Sequence, residues 1–293
     1  MQLLILSFLA LLLDATKSSP LVSRQATNGP HAPTIIWSCT GNTDPTLDIH
    51  SVCSNMCYGA YCRGYGSGLM FDPFATSLSP DILALRKANA GCYFGVNGQP
   101  ANEQDRCQQQ GMACNVYPYI AAIEFAVDVE QGGPVSRCVD SGEDARQTAM
   151  LNLFYTSAGP WSNAQGLNST DFPVFYQQIF ANAGELPYCS GLPSDCVTDG
   201  SEFDRNGYIL TYDPLPGQHK QRRYRLSGGG NITVMQEMEI GREVLLPRVK
   251  DGKKFLEVSE RRVGDRESVL NELQQYLYFD VEVIEEEIFD GHV

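Results

Sequence analysis

Ten cysteines lie between Cys39 and Cys196, and none falls outside that span. They are Cys39, Cys53, Cys57, Cys62, Cys92, Cys107, Cys114, Cys138, Cys189 and Cys196. An even set of this density constrains the fold more than any hydropathy pattern does. It reads as a disulfide framework. The metal alternative fits poorly. The spacing of Cys53, Cys57 and Cys62 is not the Cys-x2-Cys pair of zinc sites, and of the four histidines only His50 lies near the cysteines. Spacing alone fixes no pairing, so Cys189 and Cys196 are free to close on each other or to tie back to earlier cysteines. Cys53 and Cys57 stand four residues apart, which puts both thiols on one face of a short helix.

The N-terminus supports an oxidising destination. Residues 3–13 form an apolar run of 11, ended at once by the polar stretch Thr16–Pro20. This is the length of a signal-peptide core and too short to span a bilayer. The expected division is therefore 1–20 as signal peptide, 21–38 as a polar leader, 39–200 as the cysteine-bearing domain, and 201–293 as a small β-rich extension. Two glycosylation acceptors suit an exported chain: Asn168 in Asn-Ser-Thr and Asn231 in Asn-Ile-Thr.

The formal charge is -14, and residues 39–200 carry 6 Lys+Arg against 16 Asp+Glu. Such a surface repels a phosphate backbone, so DNA is disfavoured as a partner.

The patterning mixes helix and strand, an α+β class. Ile35-Ile36-Trp37 reads as a strand. Asp81–Asn89 reads as a helix behind Ser79-Pro80, carrying the basic pair Arg86-Lys87. That pair is either a solvated face or a phosphate contact. Ile120–Val129 is apolar and β-branched and reads as a strand, followed by a Gly-Gly-Pro turn and a second strand over Val135–Val139. Glu143–Tyr155 reads as a helix with Ser141 as N-cap. Strand, turn, strand and helix give the order of a ββα unit. Phe172–Ala183 reads as a further helix. Beyond residue 201 strands are expected over Tyr208–Tyr212, Arg222–Leu226, Ile232–Ile240 and Glu243–Val249, with Ser227–Gly230 as a hairpin turn. An amphipathic helix over Glu267–Phe279 precedes an acidic tail, Asp280–Asp290, that reads as a solvated appendage.

Four pieces in order carry a family resemblance: Cys57-Tyr58-Gly59-Ala60-Tyr61-Cys62; Arg86-Lys87-Ala88-Asn89-Ala90-Gly91-Cys92; Cys114-x-x-Tyr117-Pro118-Tyr119; and Ser136-Arg137-Cys138-Val139. Together they resemble fungal secreted proteins with the NucA/NucB deoxyribonuclease domain, over roughly residues 48–195. The resemblance implies an exported, metal-dependent, non-specific DNA endonuclease. It also implies a disulfide-stapled mixed fold around a ββα-type metal site, with Mg2+ or Mn2+ as cofactor.

The chain departs from the family where chemistry is done. The family motif reads Cys-Asp-Glu-Tyr-Pro-Phe-Ala; here Asn115 stands for Asp, Val116 for Glu, Tyr119 for Phe and Ile120 for Ala. A second motif, Glu-Asn-Ser-x-Gln-Gly-Gly, aligns with Glu143–Ala149, with Asp144 at the Asn position, Gln147 kept, and both Gly absent. Phosphodiester hydrolysis needs a base for water and a cation for the phosphate charge. An amide is no base at neutral pH, and valine offers nothing. Asp144 remains as a metal ligand or, more simply, as a helix-start carboxylate favoured by the dipole. Glu124, Asp128 and Glu130 are the candidates to replace the lost base. Arg86, Lys87 and Arg146 are the candidates for phosphate. Two readings follow: a divergent active deoxyribonuclease, using Asn115, Glu124, Asp144 and Gln147, or a catalytically inactive secreted binding module. Other hydrolase classes lack support, since no Gly-x-Ser-x-Gly or His-Glu-x-x-His motif occurs.

Overall fold

The computed structural model describes residues 32–41, 45–93, 106–107, 111–127, 133–157, 173–190, 196–197, 199–203, 221–235, 237–261 and 266–288. All belong to one compact unit, Ala32–Val293. The signal and leader residues 1–31, Asp128, Glu130, Asn168 and Tyr208–Tyr212 lie outside the described residues.

A mixed sheet of seven strands forms the frame. Its centre is β1 (Thr34–Ser38), buried along its whole length. Ile35 and Trp37 enter one apolar cluster and Ile36 the opposite one, as period-two alternation requires of a strand covered on both faces. β1 runs parallel to β5 (Val174–Ala181) on one side and meets β9 (Glu243–Val249) in parallel on the other. β2 (Gly68–Phe71) pairs antiparallel with the far side of β5. Beyond β9 come β10 (Leu277–Ile288), β7 (Arg222–Leu226) and β8 (Asn231–Val234), each antiparallel to its neighbour. The sheet order is thus β2-β5-β1-β9-β10-β7-β8.

A second sheet holds three antiparallel strands: β3 (Ala113–Tyr117), β4 (Val135–Val139) and β6 (Glu202–Phe203), with β4 in the middle. The helices are α1 (His50–Cys57), α2 (Pro80–Asn89), α3 (Glu124–Val127), α4 (Ser141–Ser157), α5 (Gly252–Ser259) and α6 (Arg266–Tyr276). α1 packs on β3, β4 and α4, and α4 packs on α5 and α6. The larger apolar cluster fills the space between these helices and the large sheet. It includes Trp37, Tyr58, Phe71, Tyr117, Phe154 and Tyr176, all fully buried.

The cysteines form five disulfides: Cys39–Cys53, Cys57–Cys189, Cys62–Cys196, Cys92–Cys114 and Cys107–Cys138. Three of them anchor α1 and the π-helical turn that continues it, Tyr58–Cys62. The other two bracket the β3–β4 hairpin. Cys189 and Cys196 tie back to earlier cysteines and not to each other.

Several expectations need correction. The strand expected over Ile120–Val129 lies earlier, at Ala113–Tyr117. Pro118 has no amide for the ladder and the chain leaves the sheet there. Glu124–Val127 is a short helix. The helix expected over Phe172–Ala183 is β5. Its Val-Phe-Tyr-Gln-Gln-Ile-Phe run has the β-branched and aromatic content of a strand, and Tyr176, Gln178 and Phe180 alternate into the larger core. The cap of α4 is Asp140, whose Oδ1 accepts from Glu143 N at 2.9 Å; Ser141 is already helical. The strand expected to Ile240 ends at Val234, and the helix expected to Phe279 ends at Tyr276.

The acidic tail is no appendage. Leu277–Val283 pairs with β9 and the end of the strand, Ile284–Ile288, with β7, and arginines on those strands answer its carboxylates: Arg248 reaches Asp280 and Glu282, and Arg222 reaches Glu287. The strands β7 to β10 are therefore part of the same sheet as the earlier chain, because β9 joins β1.

Candidate functional site

β3 and β4 pair antiparallel, with the short helix α3 between them in the chain and α4 after them, and Asn115 of β3 meets side chains of α1 and α4. Strand alternation turns Asn115 toward α1 and α4, and turns Cys114 and Val116 to the opposite face. On α4, Asp144 and Gln147 are three residues apart and share a face. On α1, Asn55 lies between the anchored Cys53 and Cys57.

These four side chains form a closed polar knot. Asn115 Nδ2 donates to Asp144 Oδ1 at 2.9 Å and to Gln147 Oε1 at 2.5 Å. Asn55 Nδ2 donates to Asn115 Oδ1 at 2.9 Å and to Asn115 O at 3.1 Å. Gln147 Nε2 contacts Met56 Sδ at 3.0 Å, which Tyr119 OH also approaches at 2.8 Å. Tyr119 OH also donates to Gln178 Oε1, which accepts from Trp37 Nε1 as well, and Gln178 Nε2 donates to Tyr117 OH. Asn55, Asn115, Asp144 and Gln147 are 0–4% exposed. Burial, then the neighbouring Tyr117, hold the Tyr119 phenol well above its ordinary range, so it is no base at neutral pH.

The helix starts around the knot are tied to each other. Glu143 Oε2 accepts from Ser51 N at 2.7 Å and Ser51 Oγ at 2.6 Å, in the first turn of α1. Ser51 Oγ in turn accepts from Asp140 N at 3.2 Å. A carboxylate at the N-terminus of α1 is favoured by the free amides and the dipole.

Of the residues expected at the site, Asn115, Asp144 and Gln147 come together. The others are used elsewhere. Glu124 places both oxygens on Met70 N of β2, at 3.1 and 3.0 Å. Arg86 donates to Ile120 O, stands 4.0 Å from Asp72, and lies over the Phe125 ring. Lys87 is half-buried on α2. Arg146, two residues past Asp144, points to another side of α4 and donates to Ser259 Oγ at 3.2 Å and Asp48 O at 3.1 Å. Burial lowers the affinity of its guanidinium for the proton. Arg86 and Arg146 thus both have protein partners in this structure.

Val116 faces away from Asn115. It sits with Ala90, Cys92, Cys107, Cys114 and Phe125 in a separate apolar cluster. A carboxylate there would be buried among carbon and sulfur, on the far face from Asp144. Asn55 is the residue that sequence reading missed. It stands in Ser54-Asn55-Met56 between two cysteines, and nothing local marks it as a partner of Asn115.

The donor set suits Mg2+ or Mn2+ poorly. Such ions are held through carboxylate and other oxygens. Here Asp144 is the one carboxylate of the knot, and an amide N–H of Asn115 occupies its Oδ1. Among the described residues no group of three or more His, Cys, Asp or Glu is placed to hold a metal ion. Asn55 Oδ1 is buried without a hydrogen-bond partner. Chemically, the arrangement locks α1, β3 and α4 together.

No family model, no curated protein and no solved structure matches this chain.

Proposed function

We propose that this chain is an exported, disulfide-stapled module of the NucA/NucB kind whose nuclease site has become a structural polar knot, leaving a binding module that does not hydrolyse phosphodiesters. One observation carries the reading: the Asn115 amide donates to Asp144 and Gln147 where the resembling motif has a carboxylate. A general base must accept a proton from water, and an amide spending both N–H bonds on its neighbours does not. The five disulfides support export, since they persist in oxidising compartments. The charge of -14 supports the loss of DNA as substrate. Of the three candidates for a relocated base, Glu124 is engaged at the β2 backbone, while Asp128 and Glu130 lie outside the described residues.

The test is plasmid nicking by the secreted, oxidised protein with Mg2+ and with Mn2+. The reading expects no nicking above that of an Asp144→Asn variant. Metal-dependent nicking that Asp144→Asn removes would restore the enzyme.

A further inference from the structure

A second polar site lies at the opposite part of the large sheet from the knot's helices, where β8 curls back to the end of β5. Asn182, just past β5, has a positive φ of 55°. Asparagine tolerates this left-handed conformation better than most residues. There its backbone N donates to Thr233 O at 2.7 Å, and its Oδ1 accepts from Thr233 N at 3.1 Å. Asn182 thus closes the outer edge of β8, and Thr40 Oγ1 donates to Asn182 O behind it. Around this clasp is a groove of about 720 Å3. Its walls include Thr40, Asn182, Gln221, Arg222 and Glu287, and the last two form an ion pair at 3.1 Å. Gly184 leaves room for the Gln221 side chain, because a Cβ there would stand 2.7 Å from Gln221 Nε2.

Asn231 and Thr233 line the same groove. They are alternate residues of β8, so both side chains leave one face of the strand while buried Ile232 leaves the other. Asn231 is exposed and opens the outermost strand of the sheet, so a substituent on its Nδ2 disturbs no pairing. The lining also holds Glu185, Arg223 and Ile288, and its amides, hydroxyls and Arg222–Glu287 pair match the hydroxyls and acetamido groups of a glycan core. The volume lies in the range of small-ligand sites, about 300–1,000 Å3.

We infer that Asn231 carries an N-linked glycan, and that its first sugars are seated in this groove. The inference rests on the export reading above. In the modification, the Asn231 amide nitrogen bonds to the anomeric carbon of a lipid-pyrophosphate-linked oligosaccharide. The bond from that carbon to the pyrophosphate oxygen breaks, the lipid pyrophosphate leaves with the electron pair, and the amide gives up one proton. The occupant of the groove is settled by attachment: the linking atom belongs to its wall.

The experiment expresses the full chain in a yeast secretory host and collects the medium. Amidase deglycosylation in heavy-oxygen water followed by peptide mapping marks every carrier asparagine. The inference expects the mark at Asn231 and its loss in Thr233→Ala but not in Thr233→Ser. A secreted chain with bare Asn231 overturns this inference and leaves the proposed function standing. A chain that never leaves the cell overturns both. The seating is read from an endoglycosidase that cuts between the first two sugars. Release from Asn231 should be about tenfold slower in the native than in the unfolded protein, the factor expected of one or two net hydrogen bonds. Equal rates would mean a glycan that is attached but not seated, which overturns that half of the inference.

Discussion

Asn115→Asp restores the carboxylate of the resembling motif, and the geometry says it should be costly without metal. The new oxygen would stand where Asn115 Nδ2 now lies, 2.9 Å from Asp144 Oδ1, with both residues 4% exposed. At an effective dielectric constant of about 20, two unit charges at that distance repel by roughly 6 kcal/mol. The variant can avoid this by keeping a proton. Starting from an ordinary aspartate value near 3.9, holding that proton costs about 5 kcal/mol at pH 7.5 and about 1.5 kcal/mol at pH 5. A protonated carboxyl also donates one hydrogen where the amide donated two, a further loss of about 1 kcal/mol. The folded variant then binds a proton that its unfolded chain has released, so its stability falls as pH rises. The expected penalty is about 6 kcal/mol at pH 7.5 and about 2–3 kcal/mol at pH 5, or roughly 15 °C in Tm at the higher pH. A divalent cation between two carboxylates replaces repulsion with attraction, so Mn2+ should recover much of the loss. Thermal unfolding of the oxidised variant at both pH values, in chelator and then in Mn2+, reads all of this. A variant as stable as the parent at pH 7.5 in chelator would refute the closed knot.

Three further outcomes follow from the same geometry. Val116→Glu puts a carboxylate into the cluster of Ala90, Cys92, Cys107, Cys114 and Phe125, so it should cost more than about 3 kcal/mol in urea unfolding and rescue no nicking, alone or with Asn115→Asp. Glu143→Ala frees the first-turn amides of α1 and should cost about 1–2 kcal/mol, while Glu143→Gln should cost less. Burial of Asp199 acts to raise its carboxyl but is outweighed by Arg137, which holds it below the ordinary range. A depressed group stabilises above its unfolded-state value and loses that contribution as pH falls. The protection factors of the Glu202 and Phe203 amides, with the intrinsic pH dependence of exchange divided out, should therefore fall below about pH 4 and stay constant between pH 6 and 8.

Legibility of this chain in its sequence followed the range of each signal. Local signals read well: Ser79-Pro80 opens α2, with Ser79 Oγ accepting from Ile82 N. Ser227–Gly230 turns β7 into β8, and Cys53 and Cys57 share a helix face. Long-range pairing was illegible. Asp280–Asp290 looked like a solvated tail because the partners of its carboxylates, Arg222, Arg225 and Arg248, sit on strands that only the fold brings alongside. Val174–Ala181 was misread as a helix because two glutamines blur its alternation, yet Gln178 is an internal residue of the Tyr119 network. At the site, Asn115, Asp144 and Gln147 were legible as a group through the motif. That Val116 faces away follows from strand alternation alone, once the strand is set at Ala113–Tyr117 and not after Pro118. Asn55 was out of reach, since nothing local says which core asparagine will meet another.

Whether the knot is a metal seat is the question on which the account turns, and Mn2+ titration of the oxidised protein answers it. The electron paramagnetic signal of free Mn2+ would be followed with native protein and with Asp144→Asn. Identical curves are expected, because the Asn115 amide already occupies Asp144. A binding site present in the native chain and lost in Asp144→Asn would contradict the account.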